Sequence, residues 1–192
     1  MSVTTAADHR AAAFLKAVTW LRVLLVPVIM ALVLVGPDRR YAFAAAAVLF
    51  AIAAATDFVD GFLARRWAQV SAFGTFLDTT ADKLLVTGAL IALVAVDRAS
   101  PWIAFIVIGR ELLIMGLKGA AAAGGELVSP SGLGKAKANA QFLAITLAIV
   151  RYQERLGPLF LDEYVMIAAA ILTVLSAAEY VVRLRGSVSA DR

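Results

Sequence analysis

Four aspartates carry the chemistry open to this chain: Asp57, Asp60, Asp78 and Asp82. They fall within 26 residues that otherwise read as parts of two membrane-spanning helices. An Asp at the centre of such a helix costs ~2.5–3.5 kcal/mol on an insertion scale, so four facing lipid would cost about 10–14 kcal/mol. Carboxylates so placed must face one another across a wet or metal-filled pocket. Their spacing allows it. Asp57, Asp60, Gly61 and Ala64 form one helical stripe, at i, i+3, i+4 and i+7. Ser71, Gly74, Asp78 and Asp82 form a second, at i, i+3, i+7 and i+11, and a reversal over 67–70 makes the two stripes neighbours. Four like charges in a low dielectric require protonation or cations among them, and two divalent ions would neutralise the set. The donors are hard oxygens, the chain has no cysteine, and its single histidine is His9. That combination suits Mg²⁺ or Mn²⁺ better than a Cys/His zinc site. Helix pairing through the aspartates is the weaker alternative, because such hydrogen bonds contribute only about 1 kcal/mol each in membranes. An ion or proton pathway, as in a divalent-cation transporter, is the rival of another class. It leaves Gly61, Ala64, Arg65 and Gly74 without a purpose.

The elements that must position these residues follow from composition. Of 192 residues, 62% are hydrophobic and 17% charged, with mean hydropathy +0.86, whereas soluble domains are nearer half apolar. The expected fold is an all-α, polytopic membrane protein with six transmembrane helices and a short N-terminal interfacial helix. Residues 1–18 form an interfacial segment on the cytoplasmic side, with an amphipathic helix over 9–18, and carry no convincing signal-peptide cleavage site. The spans are expected over 19–35 (with Pro27 inside), 41–63, 75–96, 101–123, 133–150 and 159–182. Residues 19–182 thus make one six-helix catalytic domain, followed by a basic cytoplasmic tail over 183–192. The net charge of +4 is not gathered in a long soluble segment, which argues against nucleic acid. Anionic lipid headgroups and phosphate-bearing substrates are the better partners.

Lys/Arg bias sets the orientation. One side holds Arg10, Lys16, Arg65, Arg66, Lys118, Lys135, Lys137, Arg183, Arg185 and Arg192; the other holds Arg39, Arg40, Arg98, Arg151 and Arg155. The first side is therefore cytoplasmic, and the aspartates lie near it. A multi-pass protein of a bacterial-type inner or plasma membrane, with its active site facing the cytoplasm, is the expectation.

Residues 57–82 resemble the signature of the CDP-alcohol phosphotransferase family, DxxDGxxAR-x8-GxxxDxxxD, at each of its eight fixed positions. Members displace CMP from a CDP-linked donor, usually CDP-diacylglycerol, by attack of an acceptor alcohol on phosphorus. The resemblance implies that Asp57, Asp60, Asp78 and Asp82 hold two divalent ions, that Asp82 takes the acceptor's proton, and that the protein is a homodimer. The chemistry agrees, since phosphoryl-group transfer depends chiefly on positioning and charge neutralisation. Gly61, Ala64 and Gly74 are small where a nucleotide must lie against helix backbone. Arg65 is placed to pair with phosphate, and Ser71 adds a hydroxyl. Thr19 and Arg22 resemble a TxxR element near the nucleotide, although Lys16 stands where an Asn often precedes it.

For the acceptor, Gly109-Arg110-Glu111 with Lys118, and Gly134-Lys135-Ala136-Lys137 with Gln141, resemble segments of family members that use glycerol 3-phosphate. Asp78-Thr79-Thr80-Ala81-Asp82-Lys83 resembles their DPxADK. Thr79 for Pro, Ala138 for Thr and Lys118 for Arg are departures. Arg110, Lys135 and Lys137 together suit a phosphate dianion on a small acceptor. The expected reaction joins CDP-diacylglycerol and glycerol 3-phosphate into phosphatidylglycerophosphate and CMP. Same-family rivals are cardiolipin synthase and phosphatidylinositol phosphate synthase activities. Plain readings stand beside these: Lys135 and Lys137 as topology anchors, Arg110 paired with Glu111 or a neighbouring helix, and Lys83 either snorkelling or paired with an aspartate. Glu179 has no assigned role.

Overall fold

The computed structural model describes residues 6–66, 72–123, 132–152 and 154–190, with side chains for 17–56, 74, 76–123, 132–152 and 154–184. The described residues form six helices: α1 (Ala6–Leu34), α2 (Ala42–Arg66), α3 (Ala72–Ala95), α4 (Pro101–Ala123), α5 (Gly132–Val150) and α6 (Leu161–Ala190). A hairpin of two short strands, β1 (Arg155–Leu156) and β2 (Leu159–Phe160), precedes α6. They fall into two compact units, Met1–Val96 and Asp97–Arg192.

In the first unit α1 packs against both α2 and α3. Val26, Ile29 and Val33 of α1, Ala46, Phe50 and Ala53 of α2, and Ala81, Leu85 and Ala89 of α3 are buried, each set at helical spacing. Close approach between α1 and α3 depends on Gly88, where a Cβ would lie 2.6 Å from Val26 Cγ1. Residues 9–18 and the span expected from Thr19 form one continuous helix. The stretch over 6–19 is Ala-rich without Gly or Pro, so nothing in it interrupts helical hydrogen bonding. Pro27 is carried inside α1 as well.

In the second unit α5 and α4 both pack on α6. The buried stripes mix apolar and polar residues: Ala104, Val107, Glu111 and Ile114 on α4; Lys137, Gln141, Ala144 and Ala148 on α5; Met166, Ala169, Thr173, Ser176 and Tyr180 on α6. The α5–α6 connection, between the spans expected over 133–150 and 159–182, contains the hairpin. Gly157, with φ +74°, and Pro158 occupy its two loop positions, the pattern of a type II′ turn. Arg98 Nη1 donates to the carbonyls of Ala148 and Ile149 at the end of α5. Arg151 donates to the Asp97 and Arg98 carbonyls and to buried Asp162 at the start of α6. Burial, then the neighbouring Arg151, pull the Arg98 guanidinium below its ordinary value, with Asp162 opposing. The last helix runs on to Ala190, through most of the segment expected as a tail.

Ala17–Leu34 and Leu161–Leu184 are long and apolar enough to cross a membrane, and Ala42–Thr56 is a shorter apolar stretch. The helices α3 and α4 each carry three ionisable side chains, Asp78, Asp82 and Lys83 or Arg110, Glu111 and Lys118. Large apolar residues nevertheless project outward from every helix, among them Leu24, Ile52, Phe76, Phe105, Leu143 and Ile171. Large apolar side chains on the outside, with charged groups such as Glu111 and Lys137 among the buried ones, depart from the usual arrangement in water.

Candidate active site

Helix α3 places Asp78 and Asp82 one turn apart, both half-buried, beside buried Ala81. From α1, Arg22 Nη1 donates to Asp78 Oδ1 at 2.9 Å. Arg22 is only 1% exposed whereas the Asp78 side chain is 36% exposed. The guanidinium is thus the anchored partner and the carboxylate the accessible one. Thr19, three residues before Arg22 and so on the same helix face, is also buried. The Lys83 ammonium lies 3.9 Å from Asp82 Oδ2, the aspartate pairing anticipated for it. Gly74 is half-buried near the start of α3. Positions 57, 60, 61, 64 and 65 belong to α2, but the side chains of Asp57, Asp60, Ala64 and Arg65 lie outside the described ones, as does Ser71 altogether. Among the described residues no three acidic or histidine side chains converge on one point. The donor chemistry of Asp78 and Asp82, half-exposed carboxylates one helical turn apart, fits a hard divalent cation.

The residues expected to meet the acceptor behave differently from one another. Arg110 and Lys137 meet at one carboxylate. Glu111 Oε1 accepts from Arg110 Nη1 at 3.1 Å and from Lys137 Nζ. Arg110 Nη2 also donates to Ser176 Oγ at 3.0 Å, and Ser176 Oγ donates to the Thr173 carbonyl. Gln141 Nε2 donates to Thr173 Oγ1 at 2.9 Å, and that hydroxyl donates to the Ala169 carbonyl. This polar seam joins α4, α5 and α6. Lys135, by contrast, is exposed. Lys118 is exposed as well, with its ammonium 5.8 Å from the centre of the Tyr180 ring. Glu179 accepts from Arg183 at 2.6 Å, one turn along α6.

Three features escaped the sequence reading: the Arg22–Asp78 pair, Thr173 and Ser176. Asp78 as the partner of Arg22 was signalled only by a guanidinium inside an apolar span, which must find a counter-charge. Thr173 and Ser176 carry a subtler signal, polar residues at helical spacing on the stripe occupied by Met166, Ala169 and Tyr180.

Comparison with known sequences completes the assignment. The family model for CDP-alcohol phosphatidyltransferase matches residues 15–175, and the chain belongs to that family of enzymes. Among its relatives is a protein of Bacillus subtilis (strain 168) named CDP-diacylglycerol--glycerol-3-phosphate 3-phosphatidyltransferase. It is 38% identical over 174 residues, covering 85% of this chain and 90% of the relative. Proteins of the same name from Shigella flexneri serotype 5b (strain 8401) and Escherichia coli (strain K12) are 41% and 40% identical over 171 residues. These matches cover 84% of this chain and 89% of each relative.

Proposed function

We propose that the protein transfers the phosphatidyl group of CDP-diacylglycerol to sn-glycerol 3-phosphate, releasing CMP and forming phosphatidylglycerophosphate. The observation that carries this reading is the intact signature over 57–82 within a chain similar along most of its length to enzymes named for that reaction.

The acceptor hydroxyl oxygen attacks the phosphorus that bears the diacylglycerol. A new P–O bond forms as the bond from that phosphorus to the bridging oxygen breaks, and CMP leaves with that oxygen. The hydroxyl proton passes to the Asp82 carboxylate, the general base. Asp57, Asp60, Asp78 and Asp82 would hold two divalent ions, Mg²⁺ or Mn²⁺, which supply neutralising charge to the pyrophosphate. Arg22, fixed in α1, orients Asp78. Thr19, Gly61, Ala64, Arg65, Ser71 and Gly74 line the nucleotide: the small residues admit it to helix backbone, and Arg65 pairs with phosphate. Arg110, Lys135, Lys137 and Lys118 form the acceptor's basic surroundings, with Arg110 and Lys137 as the built core of that set.

The outward apolar side chains of all six helices support six membrane spans, and the Lys/Arg bias supports a cytoplasmic active site. A homodimer completes the reading. The test supplies purified protein with CDP-diacylglycerol and one candidate alcohol at a time, and measures CMP. Release driven by glycerol 3-phosphate is expected. Turnover only with phosphatidylglycerol or an inositol phosphate would reject this acceptor, and metal flux across vesicles without CMP release would reject the enzyme.

A further inference from the structure

We infer that Glu111 is a positioning residue for the acceptor: its carboxylate aligns Lys137 and Arg110 so that the two cations jointly receive the acceptor's phosphate. The inference rests on the acceptor reading above, and adds a residue with its own function to it.

Adjacent residues on a helix do not face one another. Arg110 nevertheless folds back so that its Nη1 reaches Glu111 Oε1 at 3.1 Å. The same oxygen accepts from Lys137 on α5. Sharing one oxygen brings an ammonium and a guanidinium from two helices within reach of a single small anion. Both Glu111 and Lys137 are at most 5% exposed, so water contributes little to holding them. The far end of Arg110 is fixed independently, through Ser176 on α6. Its Nε–H is buried with no hydrogen-bond partner among the described residues, a donor that a phosphate oxygen would satisfy. The three side chains sum to one positive charge, the sign an anion needs. Stability alone is a poor reason for such a triad, since apolar residues of similar volume often serve a buried interior as well or better.

Steady-state kinetics on the purified full-length enzyme test the proposal, with the KM for glycerol 3-phosphate and for CDP-diacylglycerol measured separately. Glu111→Gln is expected to raise the acceptor KM about tenfold or more, leaving kcat within about threefold and the donor KM unchanged. In a Lys137→Met background the same substitution adds a smaller factor than it does alone, because Arg110 is then the one cation of the pair left to align. An unchanged or lowered acceptor KM in Glu111→Gln overturns the proposal. So does an equal deterioration for both substrates, which marks a structural role. If Glu111→Gln does not accumulate folded, Glu111→Asp takes its place. It keeps the charge but shortens the reach, and must show an acceptor-selective KM rise. Lys137→Met separates the two levels. If it leaves the acceptor KM unchanged, the acceptor reading itself fails; if it raises that KM while the Glu111 variants do not, only the positioning role fails.

Discussion

The two units each tie basic side chains to acidic ones, and they do so differently. In Met1–Val96 the cation is buried and the anion accessible: Arg22 is sealed in α1 while Asp78 remains about one-third exposed. In Asp97–Arg192 Glu111 is sealed together with Lys137, and Arg110 closes the group. An accessible carboxylate held from behind is suited to take a cation. Two basic groups gathered on a buried carboxylate are suited to take an anion. The same pairing chemistry therefore suits two ligand classes, according to whether the carboxylate is left accessible or the basic groups outnumber it.

The largest effect expected on this contrast comes from metal removal. Chelator should reduce CMP release to background, and added Mg²⁺ or Mn²⁺ should restore it, while Glu111→Gln leaves the metal concentration needed for half-maximal rate unchanged. Full activity in chelator would break the contrast at the aspartate side. Next, Asp82→Asn should lower kcat by about 10²–10⁴-fold, the usual contribution of a general base, with nucleotide binding largely retained. Binding of radiolabelled CDP-diacylglycerol beside a turnover assay separates the two quantities. Retained activity would remove Asp82 from the base role.

A smaller effect is expected from Arg22→Lys. Lysine keeps the charge but loses the planar fork that fixes a carboxylate in one orientation. The donor-side kcat/KM should fall by about three- to tenfold, with the acceptor KM unchanged, the mirror image of Glu111→Gln. If Arg22→Lys and Glu111→Gln gave the same kinetic signature, the two ion-pair groups would not serve different substrates.

Much of this arrangement was legible in the chain itself, for reasons particular residues make plain. Ionisable groups inside apolar segments are expensive, so Asp57, Asp60, Asp78, Asp82 and Arg110 stood out, whereas Arg22 entered only through the resemblance of Thr19 and Arg22 to a TxxR element. The start of α4 at Pro101 was readable because proline suits the first helical turn better than a helix interior. The extension of α1 back to Ala6 and of α6 on to Ala190 was not, because alanine-rich or polar helix formers carry no mark of a membrane boundary. Partner choice was illegible too. Arg110 beside Glu111 in sequence is a weak hint, since neighbours point apart on a helix. That Lys137 joins the same oxygen depends on how α4 and α5 pack on α6.

Lys118 sharpens the contrast at its lower limit. The sequence groups it with Arg110, Lys135 and Lys137, yet it is exposed, with its ammonium over the Tyr180 ring. An exposed cation–π contact contributes about 0.5–1 kcal/mol, and an exposed charge is screened by salt. Lys118→Met should therefore raise the acceptor KM by no more than about threefold, and this small effect should fade as ionic strength rises. Glu111→Gln, acting through buried groups, should keep most of its effect across the same salt series. A Lys118→Met defect as large as that of Lys137→Met, and as insensitive to salt, would mean that burial does not rank these basic residues, and that the acceptor is held by an exposed rim rather than by the aligned pair.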